Sequence, residues 1–234
     1  MFVTRNEESL NVKARQPSGQ PTAAPAIPCL AHDQLAATFR RLTYEVSGDP
    51  DVARVLICEH PPSVTVGRHG SIADVRDFPR NSVHYVGRGG KALPHGPGQL
   101  GIYPVFPLDH WRISAAEHVA KLLCIAQAIA RRYDVATEVD PEEAVVAVGS
   151  RVLAAVGVAI HRGVSRYGIA FNANPDLESF TAVRVNGSAM TSLVRESPFR
   201  VLLHEIPRVA LEAIADEYPE FRNHNHSIGF DATC

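Results

Sequence analysis

The stretch "GRGGKALPHGPGQLGIYPV", Gly87 to Val105, gathers four side chains able to do chemistry: Arg88, Lys91, His95 and Gln99. Around them stand Gly89, Gly90, Gly96, Gly98 and Gly101, and the prolines Pro94, Pro97 and Pro104. Glycine supplies backbone freedom and proline withdraws a hydrogen-bond donor, so the segment suits neither a helix nor a plain strand. It reads as a shaped loop that walls a binding site. His95 is its titratable group near neutrality, which makes it a candidate base or a donor that orients a carbonyl; the plainer reading is a histidine that satisfies a backbone group.

Other reactive side chains are less suggestive. Cys29, Cys58, Cys124 and Cys234 are scattered without the CxxC spacing of a zinc or redox site, and a reducing cytoplasm suits them. Cys58 in "RVLICEH" and Cys124 in "AKLLCIAQ" read as small core hydrophobes, while Cys29 and Cys234 lie near the termini. His224 and His226 in the tail "RNHNHSIGF" have no carboxylate or thiol beside them and read as solvated, so no metal site is expected. No Walker-type phosphate loop is present, and no cofactor is expected.

The elements that must carry these groups follow from periodicity. "DQLAATFRRLTYEV" predicts a helix with Asp33 as cap and Leu35, Phe39 and Leu42 on one face. "ARVLICEH", "SVTVGRHG", "SVHYVGRGG" and "LGIYPVFPL" read as strands on either side of the glycine segment. Ser114 followed by Glu117 has the spacing of a capping box and opens a long amphipathic helix. The β-branched runs between Glu142 and Asn174 predict an antiparallel ladder, and "SPFRVLLHEIPRVALEAIADEY" predicts a further helix. Strands and helices in this order argue for an α+β domain over residues 27–234, preceded by a flexible arm at residues 1–26 rich in Pro, Ser, Gln and Ala.

Charge narrows the partners. Lys plus Arg total 23 against 25 Asp plus Glu, a formal charge of -2, so no global field favours nucleic acid or an anionic membrane. No apolar run approaches bilayer length and no secretory signal is read, so a monomeric cytoplasmic protein is expected. Arg68, Arg88, Lys91, Arg162, Arg166 and Arg184 recur near the motifs, either as ordinary solvated charge or as a patch for an acidic carrier domain.

Several blocks in order, "EHPPSVTVGRHG", "GRGGKALPHGPGQLGIYPVFPLD", "RVLAAVGVAIHRGVSRYGIAFNANPDLESFTAV" and "MTSL", resemble those of the lipoyl (octanoyl) transferases over residues 30–200. That family is part of the biotin and lipoate ligase fold group, so the resemblance implies a mainly antiparallel or mixed sheet with packed helices. It implies an enzyme that takes an octanoyl group from acyl carrier protein, holds it on a cysteine as a thioester with help from a lysine, and delivers it to a lipoyl domain. The family's acyl site falls on Arg88, Gly89, Gly90, Lys91, Ala92, Leu93, Pro94, His95 and Gly96, on Ala155, Val156 and Gly157, and on Gly168, Ile169 and Ala170. Pro94 stands where the family has an aromatic residue.

Both reactive positions depart from the family. Its lysine heads a "KxAAxG" pattern, and "VLAAVG" puts Val152 there; its cysteine sits in "PCG", and "FTAVRVNG" puts Val185 and Asn186 there. Arg151 adjoins Val152 but a guanidinium is a poor base, and an amide is no useful nucleophile for acyl transfer. The expectation is a homologue that keeps the site for an octanoyl, lipoyl or related chain without the usual thioester chemistry. Two alternatives stay open: an active acyltransferase with a relocated nucleophile or direct transfer using His95, and a non-catalytic interaction subunit of a lipoylation system.

Overall fold

The computed structural model describes residues 27–76, 78–183, 185 and 187–222, so the expected arm at 1–26, the tail histidines, Cys234, Arg184 and Asn186 lie outside the described residues. Among the described residues nine strands divide into two sheets. The larger comprises β1 (Arg54–Cys58), β5 (Gln99–Val105), β6 (Glu138–Asp140), β7 (Val145–Val148), β8 (Arg151–His161) and β9 (Val164–Asn172), in the order β1-β5-β9-β8-β7-β6. All its pairings are antiparallel. The smaller has β2 (Ser63–Val66) between β3 (Val83–Tyr85), which runs parallel to it, and β4 (Ala92–His95), which runs antiparallel. The α+β expectation therefore holds, with one parallel pair in an otherwise antiparallel design.

Side-chain alternation in the large sheet separates two cores. Val55, Ile57, Leu100, Ile102, Ile169 and Phe171 point to one face, where they meet α3 (Ala115–Arg132) and α5 (Ile206–Glu217). Leu56, Cys58, Tyr103 and Val105 point to the other, against Leu35, Phe39, Leu42 and Val46 of α1 (His32–Gly48). Three short helices, α2 (Leu108–Trp111), α4 (Leu193–Glu196) and α6 (Pro219–Arg222), tie the ends together. None of the described helices is long and apolar enough to cross a membrane.

Local chemistry explains most boundaries. Ser114 Oγ accepts the Glu117 amide at 3.2 Å and caps α3 as its spacing predicts. Helix α1 starts earlier than expected: it begins at His32, the Gln34 side chain accepts from the Ala31 amide, and Asp33 lies inside the first turn, where a carboxylate suits the helix dipole. Cys124 is a correction, because it sits on the solvent side of α3 and is exposed, whereas Cys58 is fully buried as expected.

The glycine segment also needs correction, since part of it is strand. Residues 92–95 form β4, with Pro94 opposite Val64 in the register. Proline is tolerated there because β4 is an edge strand, with one side of its backbone free of ladder bonds. Gly98 then turns the chain toward β5 in the other sheet. Its φ is +83°, and a Cβ on it would come within 2.2 Å of the Asn174 carbonyl oxygen, so only glycine fits.

Candidate functional site

A cleft of about 410 Å³ opens between the two sheets, within the roughly 300–1,000 Å³ of small-molecule sites. Arg88, Gly89, Gly90, Lys91, Ala92 and Leu93 form one wall, and Ala155, Val156, Gly157 and Val158 form the facing wall. The loop joining β6 to β7 contributes Glu142, Glu143 and Ala144, and Val145 of β7, Val185, Arg68, His69 and Val119 also line it. The Gly89 amide donates to the Val158 carbonyl at 2.9 Å and joins the walls.

Nine of the fifteen residues assigned to the acyl site from the motifs therefore share this cleft. The other six do not line it, each for a local reason. Ile169 points to the opposite face of the sheet, into the core under α3. Gly96 faces the Phe180 ring, and Pro94 is taken up in pairing with β2. His95, Gly168 and Ala170 instead border a small recess of about 20 Å³ next to the cleft, which shares Arg88, Leu93 and Gly157 with it. Glu142, Glu143 and Val145 were not signalled by the sequence, because the folding of distant strands brings them in, while Val185 comes from the block aligned with the family's cysteine.

Arg88 is the unexpected centre of the loop. It is only 6% exposed, so it is not part of a solvated basic surface. Nη1 donates to the carbonyls of Gly89 and Lys91 at 2.9 and 3.0 Å, and Nη2 donates to the Thr65 carbonyl and hydroxyl at 3.0 and 2.7 Å. Burial lowers its pKa to about 10. Gly157 makes room for its stem, since a Cβ there would stand 2.9 Å from Arg88 Cδ. Buried without a carboxylate, the guanidinium is compensated by oxygen dipoles alone.

A chain of hydrogen bonds runs on from Arg88, and its direction is fixed. Gln99 Nε2 donates to the Pro94 carbonyl, so Gln99 Oε1 accepts and His95 Nδ1 carries the ring proton, donating to it at 2.7 Å. His95 Nε2 keeps its lone pair and accepts from the Thr65 hydroxyl at 2.8 Å, while Thr65 Oγ1 itself accepts from Arg88. Gln99 Nε2 donates to the Pro94 carbonyl and to Asn172 Oδ1, and Asn172 Nδ2 reaches the Val152 carbonyl at 3.4 Å. His95 is thus neutral with both nitrogens engaged. Burial, with the nearby His60, His32 and Arg88, holds its pKa well below the ordinary histidine value.

Three more imidazoles pack nearby. The rings of His60 and His84 lie 4.8 and 4.7 Å from His32, and those of His32 and His60 lie 5.3 and 5.4 Å from His95. Both nitrogens of His60 and one of His32 face oxygen partners. His60 Nδ1 donates to the Leu30 carbonyl and Nε2 accepts from Tyr103, while His32 Nε2 lies 3.0 Å from Ser63 Oγ. Among the described residues no group of His, Cys, Asp and Glu has the arrangement of a metal site. Cys58 lies 3.9 Å from His60 Nε2, but burial raises its pKa and it has no exposure, so it is not a thiolate at neutral pH.

Val152 is 2% exposed and packs with Leu93, Val145, Ala155, Ala170, Phe180, Val185 and Met190 behind the inner end of the cleft. Its amide and carbonyl pair with Ala189 and Thr191 at 2.9 Å each, which brings the 185–191 segment against β8. Arg151, its neighbour, points away and forms a bidentate pair with Glu196.

Comparison with known proteins accords with this geometry. The lipoyl protein ligase A/B catalytic domain matches residues 33–215. An octanoyltransferase of Desulfotalea psychrophila is 32% identical over 206 residues, covering 83% of this chain and 90% of that protein. An octanoyltransferase of Synechococcus elongatus is 32% identical over 177 residues, covering 73% and 76%. Among solved structures, a bi-partite lipoate protein ligase of Thermoplasma acidophilum superposes with a TM-score of 0.56 at 14% identity, over 82% of this chain and 83% of that one. A lipoate-protein ligase A bound with ATP gives 0.59 at 13% identity, over 82% and 83%.

Proposed function

The chain belongs to the family of lipoyl protein ligase A/B catalytic domains, and we propose that it keeps that family's acyl site without its thioester chemistry. In this reading the cleft takes an octanoyl, lipoyl or related medium-length chain in the cytoplasm, where the monomeric protein senses, carries or presents it. An acyl carrier protein or a lipoyl domain is the partner that brings or receives the chain. The wall supports the reading: Ala92, Leu93, Val145, Ala155, Val156 and Val185 are apolar, and Gly89, Gly90 and Gly157 let a chain lie against backbone.

The observation that carries the loss of chemistry is the burial of Val152 in an apolar cluster. A lysine there would need water or a counter-charge, whereas the described side chains packed on Val152 in this cluster are apolar. Direct transfer with His95 as base finds less support, because a base needs a free lone pair and that of Nε2 already accepts from Thr65. His95 is read as a positioning residue that holds β4 on β5 through Gln99.

The test has two arms. Thermal shift and intact mass measurements with octanoic acid, lipoamide and an octanoyl thioester should detect a bound chain. Incubation with octanoyl carrier protein and a lipoyl domain should give no octanoylated domain even at high protein concentration. Octanoylated lipoyl domain in that second mixture, lost on His95→Ala, would establish the enzyme instead.

A further inference from the structure

We propose that Lys91 is an acyl-acceptor site: a thioester seated in the cleft passes its acyl group to the Lys91 amine and leaves it there as an amide. The proposal rests on the acyl-binding reading above and adds the fate of the bound group.

The chain is unusually poor in amines. It has three lysines, Lys13, Lys91 and Lys121, beside twenty arginines. Lys121 lies in the helical layer, where Nζ donates to the Glu217 carbonyl at 2.8 Å and stands 5.3 Å from the centre of the Tyr218 ring. Lys13 lies outside the described residues. Of the two described lysines, Lys91 lines the cleft and Lys121 does not. The other cations there, Arg68 and Arg88, carry guanidiniums that do not act as nucleophiles, and Arg88 is committed to carbonyls and Thr65.

Position supports the assignment as much as scarcity does. The inner end of the cleft is apolar, where Leu93, Val145, Ala155 and Val185 join the cluster around Val152. An alkyl tail fits that end, which leaves its polar head at the mouth. Lys91 stands at the mouth, with Nζ 3.7 Å from Glu143 Oε2 on the loop joining β6 to β7 and its side chain 51% exposed. A solvent-exposed pair of this length is weak, so Glu143 draws the amine across the opening without locking it. A thioester carbonyl held there meets the amine at a high effective concentration, which is the main rate advantage a site without an activated nucleophile can offer.

The step balances without a further reagent. The ammonium first gives one proton to water. The nitrogen lone pair then bonds to the thioester carbonyl carbon, the carbon–sulfur bond breaks with its electrons on sulfur, and the surplus proton on nitrogen ends on that thiolate. The products are an amide on Lys91 and a free thiol. Because an amide is not cleaved by the groups in this site, the event occurs once per chain.

Octanoyl coenzyme A serves as the probe, incubated with the full chain and followed by intact mass spectrometry and peptide mapping, with thermal shift on the nonreactive octanamide read in parallel. The expected result is a single octanoyl adduct on Lys91 that saturates with thioester concentration, forms faster as pH rises and survives hydroxylamine. Lys91→Arg should lose it, Lys121→Arg should keep it, and Val185→Phe, which fills the cleft, should suppress it together with the octanamide shift. Octanamide binding without an adduct would overturn the Lys91 proposal alone. Adducts spread over Lys13, Lys121 and the α-amino group, without saturation and unaffected by Val185→Phe, would overturn it too. Neither binding nor adduct would remove the acyl-binding reading along with it.

Discussion

Thr65 Oγ1 lies 2.7 Å from Arg88 Nη2 and joins the buried guanidinium to the relay through His95 and Gln99. Gln99 Nε2 donates to the Pro94 carbonyl, so its Oε1 takes the His95 Nδ1 proton and the lone pair on Nε2 takes the Thr65 hydroxyl proton.

Removing the hydroxyl tests this chain directly. Thr65→Val is similar in shape but leaves His95 Nε2 and one Arg88 donor without partners in a buried setting, which costs about 1–3 kcal/mol. Thermal or urea unfolding should show that loss. A much smaller effect, near that of an exposed threonine, would mean that water replaces the hydroxyl.

Gly98→Ala should be among the most damaging single changes in the loop. The residue has φ of +83°, and the added Cβ would stand 2.2 Å from the Asn174 carbonyl oxygen. Left-handed backbone alone costs an L-residue about 1–2 kcal/mol, and the clash forces the turn to shift. A lower melting temperature and weaker chain binding in the same variant are expected.

On the proposed reading, a lysine at Val152 and a cysteine at Asn186 should install thioester chemistry if the frame around them is intact. Val152→Lys alone buries an ammonium in an apolar cluster, and an uncompensated buried charge costs about 3–5 kcal/mol. Combined with Asn186→Cys, it should give a thiol that takes octanoyl from a thioester, seen as a hydroxylamine-labile adduct absent from the parent chain. A stable double variant with no such adduct would show that the two positions no longer face each other.

Acid should destabilise the fold earlier than its carboxylates would. Burial lowers the pKa of His32 to about 3 and that of His118 to about 4, and those of His60 and His95 are also lowered. In the unfolded chain each titrates near 6.5, so above that pH neither state binds the proton and stability is unaffected by these groups. Below it the unfolded state binds protons that the folded state refuses, and stability falls by up to ~1.4 kcal/mol per pH unit for each histidine until its folded pKa is reached. Melting temperatures should hold level from about pH 8 to about pH 7 and then drop steadily toward about pH 4.

Much of this was readable in advance, for physical reasons that differ by element. Helix α3 announced itself through the Ser114 cap and its apolar stripe, because both signals are local. Strand β4 did not, because Pro94 and the flanking glycines argue against a strand and only pairing with β2 overrides them. Arg88 falls in the acyl-site block by resemblance, but its burial is not legible from the chain, since arginine is rarely buried and the space for it is left by Gly157 sixty-nine residues further along. The imidazole cluster was invisible for a similar reason: His32, His60, His84 and His95 meet through tertiary packing, and no spacing rule connects them. Cys124 shows the limit of reading a helix face by eye, one position from buried Leu123 and Ile125 yet exposed.

The walls of the cleft belong to different sheets, linked in sequence through the short turn at residues 96–98 and clasped by the amide of Gly89 on the carbonyl of Val158. Because the walls sit on separate sheets, the width of the opening is set by how the sheets pack and by this main-chain clasp rather than by any one side chain, so a substitution far from the lining that shifts one sheet should alter the opening as much as one within it.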